Sequence, residues 1–232
     1  MRLPLRSSLL AVAVVTLLTA DDPSWKSKPV AQWDDDDAKQ VLADSPWVKN
    51  VTLQQVRDLS VAERRDSGDW EAGTGKGVGL AGTGVFGPSR EARAIARAHA
   101  RPDPGTVVVR WESALPVRAA EKKAGEIGMP AWQGDYYAIA VYNVPPPFRW
   151  NFAHELKGVA FLKRDNKKDR KPSLVLIQRH ENGFATIVYL FSRSAEIIKK
   201  DRKVEFVAQI GRLFLAQVFD IDEMEFEGKL DL

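Results

Sequence analysis

The 232-residue chain carries 34 Lys and Arg against 31 Asp and Glu, a net charge of +3, and no cysteine. Without cysteine there is no disulfide framework and no thiolate metal centre, so a hydrophobic core has to carry the stability. A charge this close to balance excludes a uniformly basic nucleic-acid binder and leaves only a local basic face to consider.

Arg2 and Arg6 precede an apolar run at 9–18, and Thr19-Ala20 stands before Asp21-Asp22. A positive start, an apolar middle and a small residue at the cut are what the export machinery reads. The run is about half of the ~20 residues that cross a bilayer as a helix, so cleavage near Ala20 is expected rather than a retained membrane span. Loss of Arg2 and Arg6 then leaves a net charge of +1. Residues 21–32, polar and proline-containing, read as a mobile leader.

The first regular element expected is a helix over 33–43. Asp34 to Asp37 fill its first turn, where carboxylates meet the positive end of the helix dipole. Ser45-Pro46 stops it, and 48–53 reads as a short strand. Residues 66–88 hold eight of the sixteen glycines and read as a flexible loop. A short helix follows at 91–99.

In the second half, 106–112 alternates as a strand with Val107, Val109 and Trp111 on one face. A helix over 114–125 follows, and 136–144 is apolar on both faces, as a central strand is. Further strands are expected at 158–162, 173–179, 185–192, 204–210 and 213–219. Asn182-Gly183 and Gly211-Arg212 supply tight turns between them. The last pair also fits one helical face, but its β-branched and aromatic content favours strands. The fold class expected is α+β: a mainly antiparallel sheet, as a sandwich or partly closed barrel, with two or three helices packed on it. Residues 33–232 form one domain in this reading.

Three short motifs stand out. They are Ser45-Pro46-Trp47, Arg110-Trp111-Glu112-Ser113-Ala114-Leu115-Pro116, and Gly228-Lys229-Leu230-Asp231-Leu232. Together they resemble a group of uncharacterised exported bacterial proteins, a resemblance that implies no activity.

Catalytic motifs fail one by one. Gly77-Val78-Gly79-Leu80-Ala81-Gly82 matches the dinucleotide-binding glycine pattern, but no strand leads in and no helix leads out. His99, His154 and His180 lie far apart, and neither His154-Glu155 nor His180-Glu181 is completed by a second histidine. Asp34–Asp37 lacks the alternation of a calcium loop, and no G-x-S-x-G elbow is present. Scattered acids remain possible, with Glu112 and Asp135 lying beside aromatic-rich strands. Trp25 and Trp70 fall in segments read as mobile, where an unburied indole marks a contact site. No cofactor and no metal are expected.

One charge pattern remains. If 158–219 is a single meander, the loops 163–172 and 193–203 fall at one end of the sheet. The first carries Lys163, Arg164, Lys167, Lys168, Arg170 and Lys171 against Asp165 and Asp169, a net of +4. The second carries Arg193, Lys199, Lys200, Arg202 and Lys203 against Glu196 and Asp201, a net of +3. The candidate binding residues are therefore Lys163, Arg164, Lys167, Lys168, Lys199, Lys200 and Arg202, facing an envelope protein or anionic polymer. Against this stands internal neutralisation by Asp220, Asp222, Glu223, Glu225, Glu227 and Asp231, which the last strand delivers to the same end. The function expected is an exported, periplasmic or extracellular, non-catalytic binding domain. The alternatives are a secreted hydrolase with dispersed acids and a carrier of an apolar small molecule.

Overall fold

The computed structural model describes residues 23–56, 104–126, 132–146 and 153–232. The export signal expected at 1–20, the glycine-rich stretch with Trp70, the helix expected at 91–99 and His99 lie outside these residues.

The fold is α+β and sheet-dominated. One antiparallel sheet has five strands: β1 (Val48–Thr52), β3 (Thr106–Trp111), β4 (Tyr136–Val144), β6 (Leu174–Arg179) and β7 (Ala185–Ser192), in the order β1-β3-β4-β7-β6. The second has β2 (Gln54–Gln55), β5 (Ala160–Arg164), β8 (Lys203–Ile210) and β9 (Leu213–Asp220), in the order β2-β9-β8-β5. A hairpin of β10 (Glu225–Phe226) and β11 (Lys229–Leu230) follows. The described strands form a sandwich and do not close into a barrel.

The period-2 pattern places one side of each strand inside. Val107, Val109, Trp111, Tyr137, Ile139, Val141, Ile187, Tyr189 and Phe191 meet Leu162, Val204, Phe206, Leu215 and Phe219 in one buried cluster. Aromatic rings fill this space edge to face, with Trp111 5.2 Å from Phe219 and 6.0 Å from Tyr137 between centroids, the geometry ring quadrupoles favour.

Four helices lie among the described residues: α1 (Ser24–Ser27), α2 (Asp35–Ala43), α3 (Leu115–Ala124) and α4 (Ala153–Gly158). The start of α2 is closed by a capping box, in which Asp34 accepts from the backbone of Asp36 and Asp37 while Asp37 accepts from the backbone of Asp34. Helix α3 has Pro116 in its first turn and ends on Gly125 at φ 65°, a conformation glycine adopts without a Cβ clash. Helix α2 packs on α3.

Three expectations are corrected. The strands after residue 158 are not one meander: β5 belongs to the second sheet, β6 and β7 to the first, and β8 and β9 again to the second. Tight turns at Asn182-Gly183 and Gly211-Arg212 keep each hairpin in one sheet, while the longer loops on either side cross between sheets. The segment 158–162 is likewise shifted, because α4 runs to Gly158 and the strand starts at Ala160. From residue 23 onward the segment read as a leader is packed against the core. Trp25 is 1 % exposed, lies 5.8 Å from Trp47 and 6.2 Å from Trp33, and its carbonyl accepts the Trp33 indole N–H. An indole too large to leave in water has pulled the segment onto the core, so Trp25 is no exposed contact site.

Candidate functional site

The three sequence motifs meet in space. Trp111 donates its backbone N–H to the Trp47 carbonyl at 2.9 Å, and the Trp47 indole donates to the Asp231 carbonyl at 2.7 Å. The Asp231 carboxylate in turn accepts the backbone N–H of Leu115 at 2.8 Å, satisfying one donor at the start of α3. The Ser113 hydroxyl accepts from the backbone of Ala138 on β4. These motifs therefore build one structural joint between β1, β3, α3 and the tail.

Beside this joint lies a cluster of ionisable groups. Arg110 and Tyr142 project from β3 and β4 on the side opposite the sandwich core, with the guanidinium 4.6 Å from the phenol ring centroid. Glu112 follows β3 and is 1 % exposed. Glu121 lies on the buried side of α3 with Val117 and Ala120. The Tyr142 hydroxyl oxygen is 2.7 Å from Glu112 Oε1 and 3.0 Å from Glu121 Oε1. Arg110 Nη1 donates to Glu126 at 2.6 Å and to Glu121 at 3.4 Å.

Burial, followed by the neighbouring Glu121 carboxylate, pushes the Glu112 carboxyl up to about 8 from an ordinary 4.5. The Tyr142 phenol is pushed up as well, by burial first and then by both carboxylates. Glu112 is thus paired with Glu121. Asp135, singled out beside it in the sequence, has an 83 % exposed side chain close to Arg193.

The seven basic candidates lie at one end of the sandwich, although the meander expected to put them there does not exist. Arg164 on β5 is opposite Val204 on β8, so the loop after β5 and the loop before β8 share that end. Asp201 is their hub: it accepts from Arg164 at 3.3 Å and Lys167 at 2.5 Å, and it is buried. Its carboxyl is held below the ordinary range: burial opposes the charge, but Lys167, the Ile198 backbone N–H and Arg164 outweigh it. Lys163 pairs with Glu205 at 3.7 Å, and Lys199 pairs with Glu225 of the tail. Lys168, Lys200 and Arg202 are exposed and have no ion pair among the described residues. Arg202 holds φ 54° and ψ −52°, a backbone conformation easier for glycine. Neutralisation by the tail is thus visible at Lys199 and does not extend to these three.

Among the described residues no group of three or more His, Asp or Glu is placed to hold a metal ion. No described helix is long and apolar enough to cross a membrane. Comparison of the chain with protein-family models, with curated proteins and with solved structures found no match in any of the three. The class defined here is therefore one of architecture: a two-sheet antiparallel α+β sandwich with a buried carboxyl–phenol cluster and a cationic loop end.

Sequence reading missed Glu121, Tyr142, Glu126 and the hub role of Asp201. One signal for Glu121 was present. It stands at the helical spacing of Val117 and Ala120, where the buried face of α3 calls for an apolar residue.

Proposed function

We propose that the protein is an exported, non-catalytic domain that binds an anionic partner in the cell envelope through the loop end of the sandwich. One observation carries this reading. Arg164 and Lys167 hold the buried carboxylate of Asp201, and their chain neighbours at the same end, Lys168, Lys200 and Arg202, are exposed without an ion pair among the described residues. Such an excess attracts phosphate- or carboxylate-bearing polymers and loses its grip as salt screens it. The aromatic side chains that fill the interior support a binder over a carrier of an apolar molecule.

The test is co-sedimentation or titration with long-chain polyphosphate and with phosphatidylglycerol vesicles, at rising salt. Salt-sensitive binding that is lost in the triple variant Lys168→Gln, Lys200→Gln, Arg202→Gln supports the reading. Absence of binding, or binding that this variant leaves intact, overturns it. Export is tested separately by intact mass: the mature chain is expected to begin near Asp21.

A further inference from the structure

We infer that Glu112, Tyr142 and Glu121 form a proton-binding site, in which one proton held between two buried carboxyls seats α3 on β4 and whose loss unseats it. The argument starts from counting hydrogens. A phenol carries one hydrogen, yet the Tyr142 oxygen stands within hydrogen-bond distance of two carboxyl oxygens, 2.7 Å and 3.0 Å away. If Tyr142 donates to one carboxylate, the other oxygen needs a hydrogen of its own to make an attractive contact. Two ionised carboxylates around one phenol would leave an oxygen pair facing each other unbridged.

The surroundings decide where the proton resides. Arg110 reaches Glu121 at 3.4 Å and Glu126 at 2.6 Å, so the guanidinium donates on the α3 side, to Glu121 and not to Glu112. Glu112 is 1 % exposed and faces the phenol at 2.7 Å, with Glu121 as its other close side-chain neighbour. Glu112 therefore donates to the Tyr142 oxygen, Tyr142 donates to Glu121, and Arg110 closes the chain. The burial that pushes the Glu112 carboxyl to about 8 acts in the same direction.

Charges on neighbouring elements do not replace this arrangement. On α3, Arg118, Lys122 and Lys123 are exposed. On α2, Asp37 is taken by Lys28, Asp36 by Lys39, and Asp35 is exposed. Lys49 on β1 is half-buried and makes no ion pair among the described residues. When hydroxide removes the Glu112 proton as water, a second buried anion appears beside Glu121, and Arg110 is already hydrogen-bonded to Glu121 and Glu126. The relief available is to draw Glu121, and the second half of α3 with it, away from Tyr142.

The experiment uses the whole protein in two measurements. Carbon-13 NMR of glutamate side chains across about pH 5 to about pH 10 is expected to show one carboxyl titrating near 8, well above the usual carboxylate range. Hydrogen exchange, corrected for its intrinsic pH dependence, is expected to show the amides of Ala119 to Ala124 losing protection at least tenfold over the same transition. In Glu112→Gln, whose amide N–H replaces the carboxyl O–H as donor to the Tyr142 oxygen and which cannot ionise, that protection is expected to stay flat. If every glutamate titrates in the ordinary range, the inference is overturned. It falls equally if α3 protection in the wild type does not change with pH. Neither readout depends on any anionic partner.

Discussion

Trp25 stands edge-on to Trp47, their ring centroids 5.8 Å apart and their planes inclined by 61°. The contact ties the residues preceding α2 to the start of β1, and Trp33 extends the stack to Phe226 of the tail at 5.6 Å. Replacing Trp25 with alanine removes a fully buried indole and is expected to cost about 3 kcal/mol or more. Urea unfolding measures the loss. Proteolysis after Lys26 or Lys28 is expected to quicken in the same variant, and an unchanged stability would mean that this segment is not part of the core.

Asp37 holds the same segment electrostatically. Its carboxylate accepts from Lys28 at 2.7 Å, from the Ser24 hydroxyl, and from the Asp34 backbone. The Lys28 bond, then the Ser24 bond, lower it to about 2 from 3.8. A depressed acid stabilises the fold above its unfolded value and loses that contribution as pH falls towards the folded one. Wild-type stability is therefore expected to drop between about pH 4 and about pH 2 partly through this group. Asp37→Asn is expected to be less stable at neutral pH and to show a shallower acid limb by circular dichroism.

At the alkaline side the sign reverses. Glu112 keeps its proton to about 8 in the folded protein and releases it near 4.3 when unfolded. The unfolded state thus binds fewer protons between those values, and stability falls as pH rises, by roughly 1.4 kcal/mol per pH unit from this group. Glu112→Gln is expected to lose that slope and to exceed the wild type in stability at about pH 8, read as melting temperature. A wild-type slope that survives in the variant would assign it to another group.

The Asp231 carboxylate serves α3 as a borrowed cap, because Ala114 at the N-cap position has no side-chain acceptor. Asp231→Ala is expected to destabilise by about 1 kcal/mol. Asp231→Asn, which retains an acceptor oxygen, is expected to recover most of it. Chemical denaturation of the two variants side by side separates the cap from the charge.

Strands were legible where the period-2 pattern met a hard stop. The strand Tyr136–Val144 has the bounds its composition and the prolines after it require, and Val107, Val109 and Trp111 face the core as their alternation demands. What the pattern does not encode is sheet membership. β5 and β7 are both apolar, and only the contrast between a short turn and a longer loop separates strands that stay from strands that cross. The basic loops nevertheless reached one end, since a crossing reverses the chain direction as a hairpin does. The carboxyl cluster was less legible. Glu112 was visible as an acid beside a strand, but its partner depends on how α3 folds back, which pairs it with Glu121 rather than with Asp135.

The Trp47 indole bonds a carbonyl 184 residues away. Because chains emerge in order, Trp25, Trp33 and Trp47 wait for their final neighbours until residues near 231 are present. The hydrophobic stack is thus one of the last features to be completed during synthesis, and the half-made chain exposes three indoles. Folding of this architecture is dominated by distant pairings and is correspondingly slow. Until the tail arrives, the exposed apolar surface makes such a chain prone to aggregate.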